Sequence, residues 1–278
     1  MNKDTVDKFK TLGPQAAYLV GTLYEYGKPV FSNADVMEIT GLEPKSARNF
    51  VASLVNRGVA ARLKPGLFIL VPYELGFERE YMGNPYVIAR ELSNRKKYYI
   101  SHGSAMDIHQ MLTQPQFKVF ASVTRQIRPY FVLGVEFFFV RCKSEHFFGT
   151  EDYWVTKTDK VRVSDPERTI IDGLRFPQYT GGVSEVAKGL WIKKDELDVN
   201  KLIDYALRLD IGAVIRRLGF LLETFSLGSD AHFADLRQQL TNTYTLLDPL
   251  LPNEGNYFAR WRLRLNIAPE ELFSLIRT

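Results

Sequence analysis

The sequence predicts an α+β fold with a small N-terminal part and a larger mixed part. The first observation is helical spacing near the N-terminus, followed at once by two short runs of strand-forming residues. The second is a change after Pro72, where runs rich in Phe, Val, Tyr and Thr come first and helical periodicity follows. The expected domains are residues 1–72 and 73–278, the second with a β-rich middle (96–163) and a mainly helical end (164–278).

Two helices and a short extended segment open the chain. Apolar residues recur every three or four positions over residues 11–26, as on the buried face of a helix. An extended segment over 29–31 precedes Ser32 and Asn33, either of which suits the N-cap of a second helix. Gly41 then supplies the stop of that helix.

A third helix and a hairpin complete the N-terminal part. Pro44 suits the first turn of a helix that Gly58 ends. Strand-forming runs at 59–63 and 67–71 flank Lys64-Pro65-Gly66, a hairpin-turn signal. The order helix, strand, helix, helix, hairpin is typical of a winged helix-turn-helix, whose third helix enters a major groove while the hairpin lies along the phosphates.

The third helix and the hairpin supply candidate contacts to double-stranded DNA. Arg and Lys pair with phosphates and guanine acceptors, and Asn can read adenine. Residues 1–72 hold nine basic and six acidic side chains, a net charge of +3 within a chain total of +4. Any solvated helix carries charges, so the prediction depends on the whole order of elements. The candidate DNA-binding residues are Lys45, Ser46, Arg48, Asn49, Ser53, Arg62 and Lys64.

No catalytic, cofactor or metal site is predicted. One cysteine and four scattered histidines cannot assemble a zinc ligand set. The string YYISHGSAMDIH contains Ser, His and Asp, the residue types of a catalytic triad. A triad needs side chains that converge from different elements, so this single stretch does not predict one. We expect instead that Ser101 caps a helix reaching about Leu112, and that His102 bonds the helix start or a neighbouring strand.

The string VRVSDPERTIIDGL predicts the start of a helix. Ser164 or Asp165 suits the N-cap, and Pro166 suits the first helical position. Arg168 and Asp172 are four residues apart on that helix, so we expect them to pair.

The chain carries no signal for secretion or for a membrane. Its first residues, MNKDTVDKFKTLG, contain no apolar core of a signal peptide, and no run approaches the ~18 apolar residues of a membrane helix. Cys142 has no second cysteine for an intramolecular disulfide. We therefore expect a cytoplasmic protein with no membrane partner.

Three features together resemble a known family: the winged-helix pattern, the string YYISHGSAMDIHQML, and the string VSDPERTIIDGLRFPQYTGGVSEV. Over most of its length the chain resembles the AbiEi antitoxins of bacterial abortive-infection, type IV toxin-antitoxin systems. The resemblance implies a transcriptional repressor, not an enzyme, that binds inverted repeats in its own promoter. It also implies a C-terminal domain that neutralises a nucleotidyltransferase-like toxin, without requiring a stable complex between the two.

Two other classes of function stay open. An enzyme that acts on nucleic acid or protein through the C-terminal domain would show a deep pocket with paired carboxylates. A scaffold that uses the winged helix for protein contacts would show an acidic or apolar outer face on the third helix.

Overall fold

A computed structural model of the chain describes residues 12–75, 81, 83–112, 117–157 and 159–275. Within these ranges the fold is α+β, as predicted, with eleven helices and twelve strands. Residues 1–11 of the predicted N-terminal domain lie outside the described residues. No helix in the described part of the chain is both long and apolar enough to cross a membrane.

The chain divides into two compact units. The first comprises Met1–Lys96, Tyr130–Val135 and Trp154–Val161. The second comprises Lys97–Pro129, Glu136–Tyr153 and Arg162–Thr278. The first unit reaches past residue 72, and independent folding of residues 1–72 stays a prediction.

The first unit begins with three helices and a small antiparallel sheet. Strand β3 lies between β1 and β2, in the order β1-β3-β2. The elements are α1 (Pro14–Glu25), β1 (Val30–Ser32), α2 (Asn33–Thr40), α3 (Pro44–Asn56), β2 (Ala60–Lys64), β3 (Leu67–Leu70) and α4 (Pro85–Leu92). The predicted helices and strands are confirmed to within a few residues at their ends.

Helix α2 has a defined start and stop. The Ser32 hydroxyl accepts from the Asp35 amide at 3.3 Å, and the Asp35 carboxylate accepts from the Ser32 amide at 2.6 Å. This reciprocal capping box decides between the two predicted N-caps in favour of Ser32. Gly41 ends the helix with φ of +70°, a left-handed conformation that glycine adopts without steric cost. The short turn that follows sets the entry of α3.

Apolar side chains from all three helices and the sheet form the core of this region. The inward stripe of α3 belongs to one cluster with buried residues of α1, α2, β2 and β3. The buried residues include Leu19, Leu23, Val36, Ala47, Val51, Leu54, Phe68 and Leu70. Because α3 is held by its inner face, its opposite face is left to solvent.

The second unit combines a mixed sheet with a helical layer. Its strands run in the order β7-β5-β4-β9-β8, with β4 antiparallel to β5, and with β5-β7 and β4-β9 parallel. The strands are β4 (Tyr98–Ile100), β5 (Lys118–Val123), β7 (Val135–Arg141), β8 (Thr150–Trp154) and β9 (Lys160–Ser164). Strand β6 (Tyr130–Val132) is counted with the first unit.

Helices and a second small sheet make up the rest of this unit. The helices are α5 (His102–Ile108), α6 (Pro166–Arg175), α7 (Val183–Ile192), α8 (Val199–Leu209), α9 (Gly212–Thr224), α10 (Asp230–Gln238) and α11 (Pro269–Leu275). The small sheet has the order β10 (Thr245–Leu246), β12 (Leu263–Leu265) and β11 (Asn256–Phe258). Strands thus predominate over residues 98–164, and helices predominate after them.

Three details of the predicted elements were wrong. Helix α5 ends at Ile108 rather than near Leu112, because Gln110 adopts a left-handed backbone, with φ of +57°. Residues 153–156 have the composition of a strand and predict one there, but strand β8 begins earlier, at Thr150, and ends at Trp154. Strands β10 and β11 were not predicted from the sequence.

Candidate nucleic-acid interface

Helix α3 presents one apolar and one polar face. Pro44 occupies its first turn, and the buried side chains Ala47, Val51 and Leu54 follow at helical spacing. The predicted contact residues occupy the other positions, and all of them are exposed. These exposed residues are Lys45, Ser46, Arg48, Asn49 and Ser53. The helix therefore presents two cations and three neutral polar groups to solvent.

From the third helix to the end of the hairpin, every charged side chain is basic. Residues 44–72 contain five basic side chains and no Asp or Glu. The nearest carboxylate in sequence is the exposed Glu43, immediately before the helix. A surface with one sign of charge attracts the phosphate backbone of nucleic acid and accelerates association.

A groove of about 480 Å³ lies between α3 and the hairpin. Arg48 and Asn56 line it from the helix, and Arg62 and Gly66 line it from the hairpin. The Nε group of Arg48 donates to the carbonyl of Pro44 at 3.2 Å, so this side chain lies along the N-terminal half of its helix. Arg48 and Arg62 therefore border one groove from its two sides.

Lys64 differs from the other six predicted DNA-binding residues. Its ammonium group donates to the carbonyl of Leu92 at 3.0 Å and to Oδ1 of Asn94 at 2.7 Å, and its side chain is half-buried. The pairing of β2 with β3 is irregular between Arg62 and Lys64, while Arg62 itself is exposed. Lys64 thus ties the hairpin to the end of α4, and Arg62 is the freer cation on the hairpin.

The start of α5, which sequence reasoning considered for catalysis, is a buried polar cluster in the second unit. Ser101 stands at the N-cap position, but its side chain does not cap the helix, contrary to the prediction. Its hydroxyl instead accepts from the hydroxyl of Ser122 at 2.9 Å and lies 2.8 Å from Nδ1 of His102. The hydroxyl of Ser122 on strand β5 therefore bonds Ser101 in place of the helix amide. The spacing of the two serines in the sequence does not predict this contact.

His102 is buried in an unusual backbone conformation. Its φ is +52°, and its Nε2 has no hydrogen-bond partner among the described residues. The ring packs edge-to-face on Tyr179 at 5.3 Å. Burial lowers the pKa of His102 to about 4, and the opposing effect of the Asp172 charge does not restore it. The imidazole is therefore neutral at pH 7.

The predicted pair of Arg168 and Asp172 is confirmed and lies wholly in the core. The Arg168 guanidinium donates to Oδ1 of Asp172 at 3.0 Å, and the hydroxyl of Tyr99 donates to Oδ2 at 2.9 Å. Burial opposes ionisation of Asp172, but the Arg168 charge outweighs it and holds the pKa of this carboxyl below its usual value. The predicted cap is also present, since Asp165 accepts from the Arg168 amide at 2.8 Å.

Arg168, Asp172 and Tyr99 bond to one another, although Nη1 of Arg168 has no hydrogen-bond partner among the described residues. Arg168 is 0% and Asp172 is 2% exposed, so neither side chain reaches solvent or a surface ligand. The sequence carries no signal for the contact of Tyr99 with Asp172, because the two residues lie 73 positions apart. Within the described ranges, no three His, Cys, Asp or Glu side chains are grouped so that they could hold a metal ion.

Comparison with known proteins gives a match of fold only. The chain is similar to a crystal structure of the RV2827C protein from Mycobacterium tuberculosis, with a TM-score of 0.71, 16% sequence identity and 98% of each chain covered. No protein-family model matches the sequence. A search of curated proteins also gives no match. At this level of identity, the similarity supports the mixed α+β fold and gives no information about function.

Proposed function

We propose that this protein is a DNA-binding transcriptional repressor whose N-terminal region acts as a winged helix. The observation that carries the proposal is the exposed, basic face of α3 beside the hairpin, with Arg48 and Arg62 on one groove. The order of elements and the β1-β3-β2 sheet support it. The face is neither acidic nor apolar, which favours DNA over a protein-binding scaffold.

The proposed binding mode follows from the dimensions of α3. Its 13 residues span about 20 Å, and a major groove about 12 Å wide admits an α-helix. Lys45, Arg48 and Asn49 stand in its N-terminal half, the part that reaches base edges in helix-turn-helix proteins. In this mode Arg62 on the hairpin contacts a phosphate of the adjacent DNA backbone.

The biological setting rests on the resemblance to AbiEi antitoxins. On that basis, the operator is an inverted repeat in the protein's own promoter, and repression is autoregulatory. The larger C-terminal part then antagonises a nucleotidyltransferase-like toxin in the cytoplasm. A toxin gene beside this one, whose toxicity is relieved by co-expression of the full chain, is the expected finding.

The DNA proposal is tested by fluorescence anisotropy with the duplex upstream of the gene and a scrambled duplex of equal length. Arg48→Ala and Asn49→Ala should each cost about 1–3 kcal/mol of binding to the native duplex and reduce the preference over the scrambled one. Arg62→Ala should weaken binding to both duplexes alike. It should also reduce the slope of log K against log salt by about 1.

A matched control is Arg128→Ala, which removes an exposed arginine of the second unit. This variant should bind as wild type does. Arg62 is preferred to Lys64 as the hairpin probe, because removal of the Lys64 ammonium also breaks two internal hydrogen bonds. Equal binding of wild type to both duplexes, or full binding by Arg48→Ala, would refute the proposed mode.

A further inference from the structure

A concave site in the second unit gathers basic side chains that the DNA proposal does not use. Its volume is about 490 Å³. Lys143 follows β7, His146 ends the short helical turn Ser144–His146, and Arg175 and Arg208 stand in the last turns of α6 and α8. Four basic side chains from three separate segments of the chain therefore line one cavity.

Two of these basic side chains have no carboxylate partner within the part of the chain that the structure describes. Lys143 pairs with Glu145 at 3.2 Å. Arg175 and Arg208, in contrast, have no carboxylate within 4 Å among the described residues. Each guanidinium lies over an aromatic ring instead, with Arg175 4.7 Å from the Phe176 centroid and Arg208 4.0 Å from the Phe148 centroid. Such stacking fixes the plane of a guanidinium and leaves its N–H edge for an acceptor.

Two buried polar atoms at the cavity lack partners. Nε of Arg175 and Nδ1 of His146 are buried, and neither has a hydrogen-bond partner among the described residues. Burial, and then the charge of Arg175, lower the pKa of His146. Buried polar atoms without partners are rare in folded proteins, and each calls for a water, an ion or a ligand.

We infer that this cavity binds the phosphate group of a small molecule of the nucleoside monophosphate class. Arg is the side chain that best matches a phosphate, since its N–H groups donate in pairs to two oxygens. The volume exceeds the need of one phosphate and falls in the usual range for small-ligand sites. Leu209 and Ile211 give an apolar wall, and the carboxylates of Glu145 and Asp210 can accept from sugar hydroxyls or base amino groups.

The test uses the full chain and measures thermal melting and calorimetric binding. The ligands are inorganic phosphate, the four common nucleoside 5′-monophosphates, and adenosine as a ligand without phosphate, all at ionic strength matched with NaCl. At least one monophosphate should raise Tm and bind at least tenfold more tightly than adenosine. Phosphate alone binding as tightly as every monophosphate would show a site for the free anion, and overturn the assignment to a nucleotide.

Two variants and a control locate the site. Arg208→Gln changes an exposed side chain and should weaken monophosphate binding at least tenfold, as should Arg175→Gln. Arg237→Gln, in the last turn of α10 and outside the cavity, should bind as wild type does. The inference fails if no phosphate compound raises Tm beyond the NaCl control, or if Arg208→Gln binds with wild-type affinity. DNA binding by Arg208→Gln should be unchanged, so this result is independent of the repressor proposal.

Discussion

His102 should make the folded protein less stable as the pH falls from 7.5 to 5. The side chain is 1% exposed, and burial lowers its pKa from the ordinary 6.5 to about 4. Between pH 6.5 and 4, the His102 side chain is protonated in the unfolded chain and neutral in the folded chain. Protons therefore favour unfolding, and the stabilising effect of neutral His102 is present above pH 6.5 and lost between pH 6.5 and 4.

The magnitude follows from the two pKa values. Each pH unit between them costs about 1.4 kcal/mol, because the proton binds only to the unfolded chain. The step from pH 6.5 to 5 covers about one and a half units. The free energy of unfolding should therefore fall by about 2 kcal/mol between pH 7.5 and 5 on account of His102 alone. Below pH 4 this contribution stops growing, since both states are then protonated.

The assay is urea unfolding followed by circular dichroism at both pH values, for wild type and His102→Asn. Asparagine tolerates the left-handed backbone at this position and does not titrate. On acidification from pH 7.5 to 5, the free energy of unfolding of the variant should fall by about 2 kcal/mol less than that of wild type, whatever the stability of the variant at pH 7.5. Ser104→Ala is the control, because it changes a buried side chain of the same helix that carries no titrating group. This variant should keep the wild-type pH dependence. An identical pH dependence in wild type and His102→Asn would refute the reasoning.

Two further predictions concern the packing of the second unit and its buried ion pair. Gly219→Ala should destabilise by about 1–3 kcal/mol in urea unfolding, since its methyl group would lie 2.1 Å from a ring carbon of fully buried Trp261. Gly21→Ala in α1 meets nothing within 4 Å and should stabilise by about 0.5–1 kcal/mol, so destabilisation by both would contradict the packing argument. Asp172→Asn leaves the buried Arg168 charge without its counter-ion and should cost about 3–5 kcal/mol. The double change Arg168→Met with Asp172→Leu should recover much of that loss, and no recovery would show that the pair itself is required.

Local chemistry in the sequence determined most element positions. Helix α2 illustrates this, because Ser32 and Gly41 each mark an end by a property that a few neighbouring residues decide. The cap at Asp165 and the pair of Arg168 and Asp172 were likewise predictable, since helical periodicity alone brings residues three and four apart together. The polar face of α3 followed from the same periodicity.

Tertiary structure alone decided which side chains meet across elements. Lys64 was predicted as a DNA contact from its place beside the turn, but the carbonyl that holds it belongs to Leu92, 28 residues away. Ser101 was predicted as a cap, yet a hydroxyl on another strand bonds it. The cavity of Arg175 and Arg208 had no sequence signal, because its lining comes from ends of elements far apart in the chain. Spacing rules reach about one helical turn or one hairpin, whereas these contacts depend on how whole elements pack.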